Sequence, residues 1–212
     1  MRGVGARRVR CRAWIVAGLS LVVAAGCASS PRRVSAHSPQ VLPSELAAYY
    51  DYPVTPRDVA IQAIRERGGV REVLVQFPLS AQGFEPTEPL VEFEWFESNA
   101  PGQRPAVLFN PILGGDYALE RGLCRFFARH GLHVALVHRK TLKVSPEHPV
   151  EHLERLLRQG VVRIRQVVDW MDAQTQVDPT RLGSFGISMG GIATVVSAAV
   201  EPRLRVHVAV LP

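Results

Sequence analysis

The spacing of apolar and polar residues changes along this chain, and each spacing predicts a different element. Residues 56–67 (PRDVAIQAIRER) carry apolar side chains at helical intervals and end at Gly68-Gly69, which predicts a helix and its stop. Residues 70–77 and 90–96 then alternate apolar and polar side chains. This alternation predicts two half-buried antiparallel strands.

Short apolar segments alternate with amphipathic ones through the rest of the chain. The predicted strands are 106–109, 132–137, 181–186 and 204–211, and the predicted helices are 117–130, 150–174 (with an irregularity at Gly160) and 189–200. A turn is predicted at Asp178-Pro179. Strands that alternate with helices predict an α/β fold: a doubly wound, mostly parallel sheet with antiparallel N-terminal strands and helices on both faces.

The first 26 residues have the pattern of an export signal. An arginine-rich start is followed by an apolar run over 13–25, which is too short to span a bilayer comfortably. The run ends in Ala24-Ala25-Gly26-Cys27, which resembles the lipobox of bacterial lipoproteins. The resemblance implies a signal peptide over 1–26, a lipid such as palmitate on Cys27, and anchoring to the cell envelope on its periplasmic or outer-membrane face. An ordinary secretory signal with an incidental cysteine is the alternative, and a twin-arginine signal is a minor one.

Charge and composition narrow the class of protein further. The net charge of +6 comes almost entirely from five arginines in the signal segment, so we expect no nucleic-acid partner. Residues 27–43 are rich in Ser, Pro and Ala and are interpreted as a flexible tether, with one globular domain over 44–212. Cys124 is the only cysteine of that domain, so it is expected to be a buried apolar residue without a disulfide. No metal-binding motif is present, and neither a metal nor another cofactor is expected.

The segment Gly186-Ile187-Ser188-Met189-Gly190 is the strongest chemical signal. Gly-x-Ser-x-Gly between an apolar strand and a helix is typical of a nucleophile elbow, a tight turn that presents a serine at the carboxyl end of a sheet. Ser188 is the predicted nucleophile. The Met189 N–H at the start of the following helix is a predicted donor to the oxyanion.

A second segment, Asn110-Pro111-Ile112-Leu113-Gly114-Gly115, follows the predicted strand 106–109 and precedes a helix. A loop in this position supplies the other oxyanion N–H in enzymes with a nucleophile elbow. Because proline has no N–H, Ile112 or Leu113 is the candidate donor, and a plain Gly-Gly turn is the alternative.

The order of strand, loop, helix, strand, long helix and Gly-x-Ser-x-Gly-Gly resembles the α/β-hydrolase superfamily over about residues 70–212. The dienelactone-hydrolase and esterase-like branch is the nearest in character. The resemblance implies cofactor-free hydrolysis of a small-molecule or lipid ester through an acyl-serine intermediate on Ser188. In that superfamily the catalytic acid and histidine follow later strands, so the chain is expected to be an N-terminal portion that is inactive by itself.

Candidate bases within the chain are few. His207 lies early in the predicted strand 204–211 and is expected to be a strand side chain, and Glu201 ends a helix away from the nucleophile. His138 and Asp116 are better placed to line the site, and a Ser188–His138 pair is a minor hypothesis. The remaining histidines are read as surface or core residues.

Three function classes follow. The first is a lipid-anchored serine esterase whose acid and base lie beyond residue 212. The second is a non-catalytic α/β-hydrolase-like lipoprotein that binds a ligand or an envelope partner. The third, a structural envelope protein, rests only on the lipid anchor.

Overall fold

The computed structural model describes residues 43–53, 56–114, 116–139 and 147–211. The chain divides into two units, 1–38 and 39–212, and the described residues all lie in the second. The predicted signal segment, Cys27 and the tether up to residue 42 lie outside the described residues. In the described part, every helix is too short or too polar to cross a membrane.

The described elements alternate between strands and helices from residue 104 onward. In chain order they are α1 (Ser44–Tyr49), β1 (Ala60–Arg67), β2 (Val70–Pro78), β3 (Leu90–Ser98), β4 (Arg104–Asn110), α2 (Ala118–Arg129), β5 (His133–Val137), α3 (Val150–Asp172), β6 (Val177–Ile187), α4 (Met189–Val200) and β7 (Leu204–Val210).

The seven strands form one mixed sheet in the order β1-β2-β3-β5-β4-β6-β7. The pairs β1–β2, β2–β3 and β3–β5 are antiparallel, whereas β4–β5, β4–β6 and β6–β7 are parallel. The predicted α/β fold with antiparallel N-terminal strands is confirmed. Its antiparallel part is larger than predicted, because the chain before Gly68 adds a strand.

The helix predicted over 56–67 is wrong. Residues Ala60–Arg67 form β1, which pairs with β2 through a hairpin whose turn residues Gly68 and Gly69 have φ of 60° and 75°. Two consecutive positive φ values suit the tight turn of a hairpin, so the glycines join two strands instead of ending a helix. The pairing register shifts between Ala63 and Arg65. This irregularity interrupts strict alternation and explains the helix-like spacing of apolar residues.

Two smaller predictions also need correction. The predicted turn at Asp178-Pro179 lies inside β6, where the register with β4 jumps between Val177 and Leu182. The side chain of Asp178 accepts hydrogen bonds from both the N–H and the hydroxyl of Thr180, so the local turn is embedded in the strand. Helix α3 runs unbroken through Gly160, where an irregularity was predicted.

Apolar side chains cover both faces of the sheet, as a doubly wound fold requires. On one face α3 packs against the sheet through buried residues that include Val167, Trp170 and Met171. On the other face α2 packs through Cys124 and Ala128. Cys124 is fully buried, as predicted, and burial raises the pKa of its thiol.

Candidate active site

Ser188 occupies a strained turn between β6 and α4. Its backbone has φ 54° and ψ −122°, a region that residues with a side chain rarely adopt, and its side chain is exposed. The turn needs glycine on both sides. A Cβ on Gly186 would lie 2.1 Å from the carbonyl oxygen of Gly190, and a Cβ on Gly190 would lie 2.1 Å from that of Asn110. This is the geometry of a nucleophile elbow.

Backbone hydrogen bonds fix the turn at the carboxyl edge of the parallel strands. The Ser188 N–H donates to the carbonyl of Val210 in β7 at 2.9 Å. The carbonyl of Ser188 accepts from the Ile192 N–H at 3.2 Å, which starts the hydrogen bonding of α4. Met189 is the first residue of that helix, where N–H groups lack partners within the helix. Its N–H is therefore available to an oxygen held beside Ser188.

The predicted oxyanion loop lies next to this turn. Asn110 ends β4 and is buried, and its amide Nδ2 donates to the hydroxyl of Thr194 in α4 at 3.0 Å. The Ile112 N–H donates to Glu120 Oε1 at 3.2 Å. Since Ile112 is engaged with a carboxylate in this conformation, Leu113 is the better of the two candidate donors.

Glu120 and Arg139 hold the loop in place, and neither role was predicted from the sequence. Arg139 Nη2 donates to the carbonyls of Pro111 and Ile112, at 2.8 and 3.0 Å. The Tyr117 hydroxyl donates to the carbonyl of Arg139 and accepts from its N–H, so the segment after β5 is tied to the start of α2. These contacts join residues distant in sequence, and no local pattern marks them.

His138 is not paired with Ser188. Its ring nitrogens bind two carboxylates of β3, Nδ1 to Glu92 at 2.7 Å and Nε2 to Glu94 at 2.9 Å. Burial disfavours the charged ring, but the hydrogen bonds to Glu94 and Glu92 outweigh it and raise the pKa of His138. Both ring nitrogens are engaged by carboxylate oxygens, so neither is directed at a serine hydroxyl. The hypothesis of a Ser188–His138 pair is therefore wrong for this structure.

His207 pairs with a different serine. Its Nδ1 lies 2.7 Å from the Ser184 hydroxyl, and its Nε2 lies 3.1 Å from the carbonyl oxygen of Leu204. Burial lowers the pKa of His207, so the neutral ring donates from Nε2 and accepts the Ser184 proton at Nδ1. Ser184 is a buried residue in the middle of β6. This pair is structural, and His207 is a strand side chain as expected.

The other acidic candidates also have structural contacts. Asp116 is exposed and accepts from the Ala118 N–H at 3.0 Å, at the start of α2. Glu201 is buried and bonds Arg203 through both carboxylate oxygens. Within the described residues, the structure therefore gives Ser188 no imidazole or carboxylate partner. No group of three or more His, Cys, Asp or Glu side chains there is arranged to hold a metal ion.

A cavity of about 230 Å³ opens between α3 and α4 beside the elbow. Asn110, Pro111 and Met189 belong to its lining, so the cavity touches both the predicted oxyanion loop and the residue after Ser188. The sequence could not reveal it, because its walls come from two helices and a loop that meet only in the fold.

Comparisons with known proteins agree with this architecture. No protein-family model matches the chain. Acetyl xylan esterase 1 from Thermoanaerobacterium sp. aligns with a TM-score of 0.58 and 18% identity, over 77% of this chain and 56% of that one. The acetyl xylan esterase from Paenibacillus sp. R4 aligns with a TM-score of 0.52 and 12% identity, over 71% and 52%.

A curated relative shares a short segment of sequence. A 4-O-methyl-glucuronoyl methylesterase from Podospora anserina is 47% identical over 45 residues, which are 21% of this chain and 9% of that protein. The chain thus spans little more than half the length of the similar structures and a small part of the curated relative. The mixed sheet, the elbow at Ser188 and these structural likenesses together show that the chain has the α/β-hydrolase fold.

Proposed function

We propose that this chain carries the nucleophile of a serine carboxylic-ester hydrolase. The observation that carries the proposal is the backbone of Ser188, held at φ 54° between two glycines that no larger residue could replace. Strain of this kind costs about 1–3 kcal/mol and persists where the fold requires it, most often at functional sites. A purely structural turn would not need it.

In the proposed reaction, Ser188 Oγ attacks the carbonyl carbon of the ester and forms a tetrahedral intermediate. The N–H groups of Met189 and Leu113 donate to its oxyanion, assisted by the positive end of α4. The C–O bond to the alcohol then breaks, the serine proton goes to the departing alkoxide through a base, and water hydrolyses the acyl-serine. The base and its acid are proposed to lie outside the described residues.

The similar proteins support an ester as the substrate class. Their names describe acetyl xylan esterases and a methylesterase of a glucuronoyl group, and each name denotes hydrolysis of a carboxylic ester. From these proteins we transfer only the type of bond, a carboxylic ester, to the proposed substrate of this chain. A small-molecule or lipid ester is the proposed substrate, and the dienelactone-hydrolase and esterase-like branch stays a prediction.

We also propose that the mature protein is anchored to the cell envelope through a lipid on Cys27. The support is the sequence: an arginine-rich start, an apolar run and small residues that end in cysteine. An ester dissolved in or bound to the envelope would then be within reach of Ser188.

The proposal is tested by labelling the natural full-length protein with a fluorophosphonate probe and mapping the modified residue. We expect modification of Ser188 and loss of labelling in Ser188→Ala. Ser184→Ala is the matched control, because Ser184 has a histidine partner but lies buried in β6. Folded full-length protein that leaves Ser188 unlabelled would favour the alternative, a non-catalytic binding lipoprotein.

A further inference from the structure

The cavity between α3 and α4 is lined mainly by apolar side chains. Leu156, Val161 and Ile164 of α3 face Ile192, Ala193 and Val196 of α4 across it. The charged residues in its lining are Arg139 and Arg163. Arg139 Nη2 binds loop carbonyls, and Arg163 Nη2 binds Glu88 at 2.5 Å, while the buried Nε of Arg163 has no hydrogen-bond partner in the described part of the chain. The remaining space therefore suits an uncharged, apolar group.

Gly160 lies in the wall of this cavity, in the interior of α3. A Cβ on Gly160 would meet no atom within 4 Å, so a side chain here would project into open space. Glycine is a poor helix former, and alanine would fit sterically. Because Gly160 has no side chain, it leaves free the volume that a larger residue would occupy in the cavity.

The mouth of the cavity is apolar as well. Leu157 and Ile192 belong to its lining and expose 53% and 46% of their surface. Its lining also includes Met189, which follows Ser188, and Pro111, which lies in the predicted oxyanion loop. An ester whose carbonyl lies at Ser188 can thus extend one apolar end between the two helices.

We propose that this cavity binds the apolar group of the ester substrate and that Gly160 sets its depth. The inference rests on the proposed function for the identity of the ligand as an ester. It adds a substrate class, esters with a medium-sized apolar chain or ring, and a residue that determines specificity. Gly122 in α2 provides a matched control, since a Cβ there also meets nothing within 4 Å but the residue is exposed, away from the cavity.

The cavity itself is tested by binding, independently of catalysis. Toluene is a suitable probe, because a dry apolar cavity of about 150 Å³ in a protein binds benzene. We expect toluene to shift the methyl NMR signals of Ile192 and Val196 in a saturable way. Gly160→Leu should weaken this binding about tenfold or more, since protein atoms that fill a cavity leave no room for a ligand. Gly160→Ala should weaken it less, and provides the test if the leucine variant does not fold.

Gly122→Leu should leave toluene binding within about twofold of the parent, as expected for a surface substitution. Absence of methyl shifts, or equal weakening by Gly122→Leu and Gly160→Leu, would overturn the inference. Either result would leave Ser188 labelling intact, so the two failures are distinguishable.

Assignment of the cavity to the substrate is tested kinetically on the full-length protein. Two series are compared: p-nitrophenyl esters with acyl chains from acetate to octanoate, and acetate esters of alcohols of increasing size. Gly160→Leu should lower kcat/KM for the long members of one series about tenfold relative to its shortest member. Loss in the acyl series assigns the cavity to the acyl group, and loss in the alcohol series assigns it to the alcohol. An equal factor for short and long members of both series would show that the substrate does not enter the cavity.

Discussion

A Cβ atom on Gly190 would lie 2.1 Å from the carbonyl oxygen of Asn110. The first turn of α4 therefore touches the end of β4 with no room for a methyl group. Asn110 strengthens the same contact through its hydrogen bond to Thr194. This contact sets the position of the predicted oxyanion loop relative to Ser188, because the loop begins at Asn110 and Ser188 lies two residues before Gly190.

Gly190→Ala is expected to force α4 away from β4. We expect the free energy of unfolding to fall by about 1–3 kcal/mol, the usual cost of an overpacked contact, and fluorophosphonate labelling of Ser188 to slow. Urea denaturation and the rate of labelling measure the two effects. Gly122→Ala is the control and should raise the free energy of unfolding by about 0.5–1 kcal/mol, since alanine favours a helix. Equal stability of Gly190→Ala and the parent would contradict the contact.

Ser188→Gly is expected to be more stable than Ser188→Ala. Glycine adopts a positive φ readily, whereas alanine retains the Cβ strain, so the difference in free energy of unfolding should be about 1 kcal/mol or more. Because both variants lack the hydroxyl, the difference in stability between them reports backbone strain and not the loss of the nucleophile. Thermal unfolding of the pair provides the measurement, and a less stable glycine variant would argue against a strained elbow.

The lowered pKa of Glu94 predicts that the protein loses stability in acid. Burial opposes its ionisation, but hydrogen bonds from His138 and Arg121 outweigh burial and lower its pKa from 4.5 to about 2. A depressed pKa contributes stability that is present above the unfolded value of 4.5 and is lost as the pH falls towards 2. The shift corresponds to at most about 3 kcal/mol.

The measurement is the free energy of unfolding between pH 5 and pH 2. In Glu94→Gln the decline over this range should be shallower, although the variant is less stable at pH 7 because Arg121 and His138 lose a partner. Glu66→Gln, in the exposed strand β1, should keep the decline of the parent. An unchanged decline in Glu94→Gln would show that other carboxylates cause it.

Cys27→Ala is expected to release the protein from the membrane. If Cys27 carries lipid, the parent expressed in a bacterial host should incorporate labelled palmitate, and the extracted protein should partition into detergent. The variant should do neither. Cys11→Ala is the matched control, because Cys11 lies within the segment predicted to be removed. A parent protein that incorporates no palmitate would favour an ordinary export signal.

Much of the architecture could be predicted from local patterns. The alternation in 70–77 and 90–96 identified β2 and β3, and apolar runs identified the parallel strands. Burial of one face of a strand favours alternation, and burial of both faces favours a continuous apolar run. The elbow was predictable for a similar reason. The requirement for glycine at position 186 is local, because a Cβ there would meet Gly190 and Thr194. The requirement at position 190 comes from the distant Asn110, but both glycines belong to the Gly-x-Ser-x-Gly pattern that the sequence displays.

Contacts between distant residues decided the rest. Strand β1 was predicted as a helix because only its pairing with β2 shows that the glycines after it form a hairpin. The roles of Glu120 and Arg139, the binding of His138 to Glu92 and Glu94, and the pairing of His207 with Ser184 depend on which elements are neighbours in the sheet. By itself the sequence determined the fold class and the Gly-x-Ser-x-Gly turn that carries the proposed nucleophile, because both leave recognisable patterns along the chain. The partners of the histidines and the cavity beside Gly160 were decided by the tertiary structure, since side-chain pairing and empty volume arise only when separate elements pack.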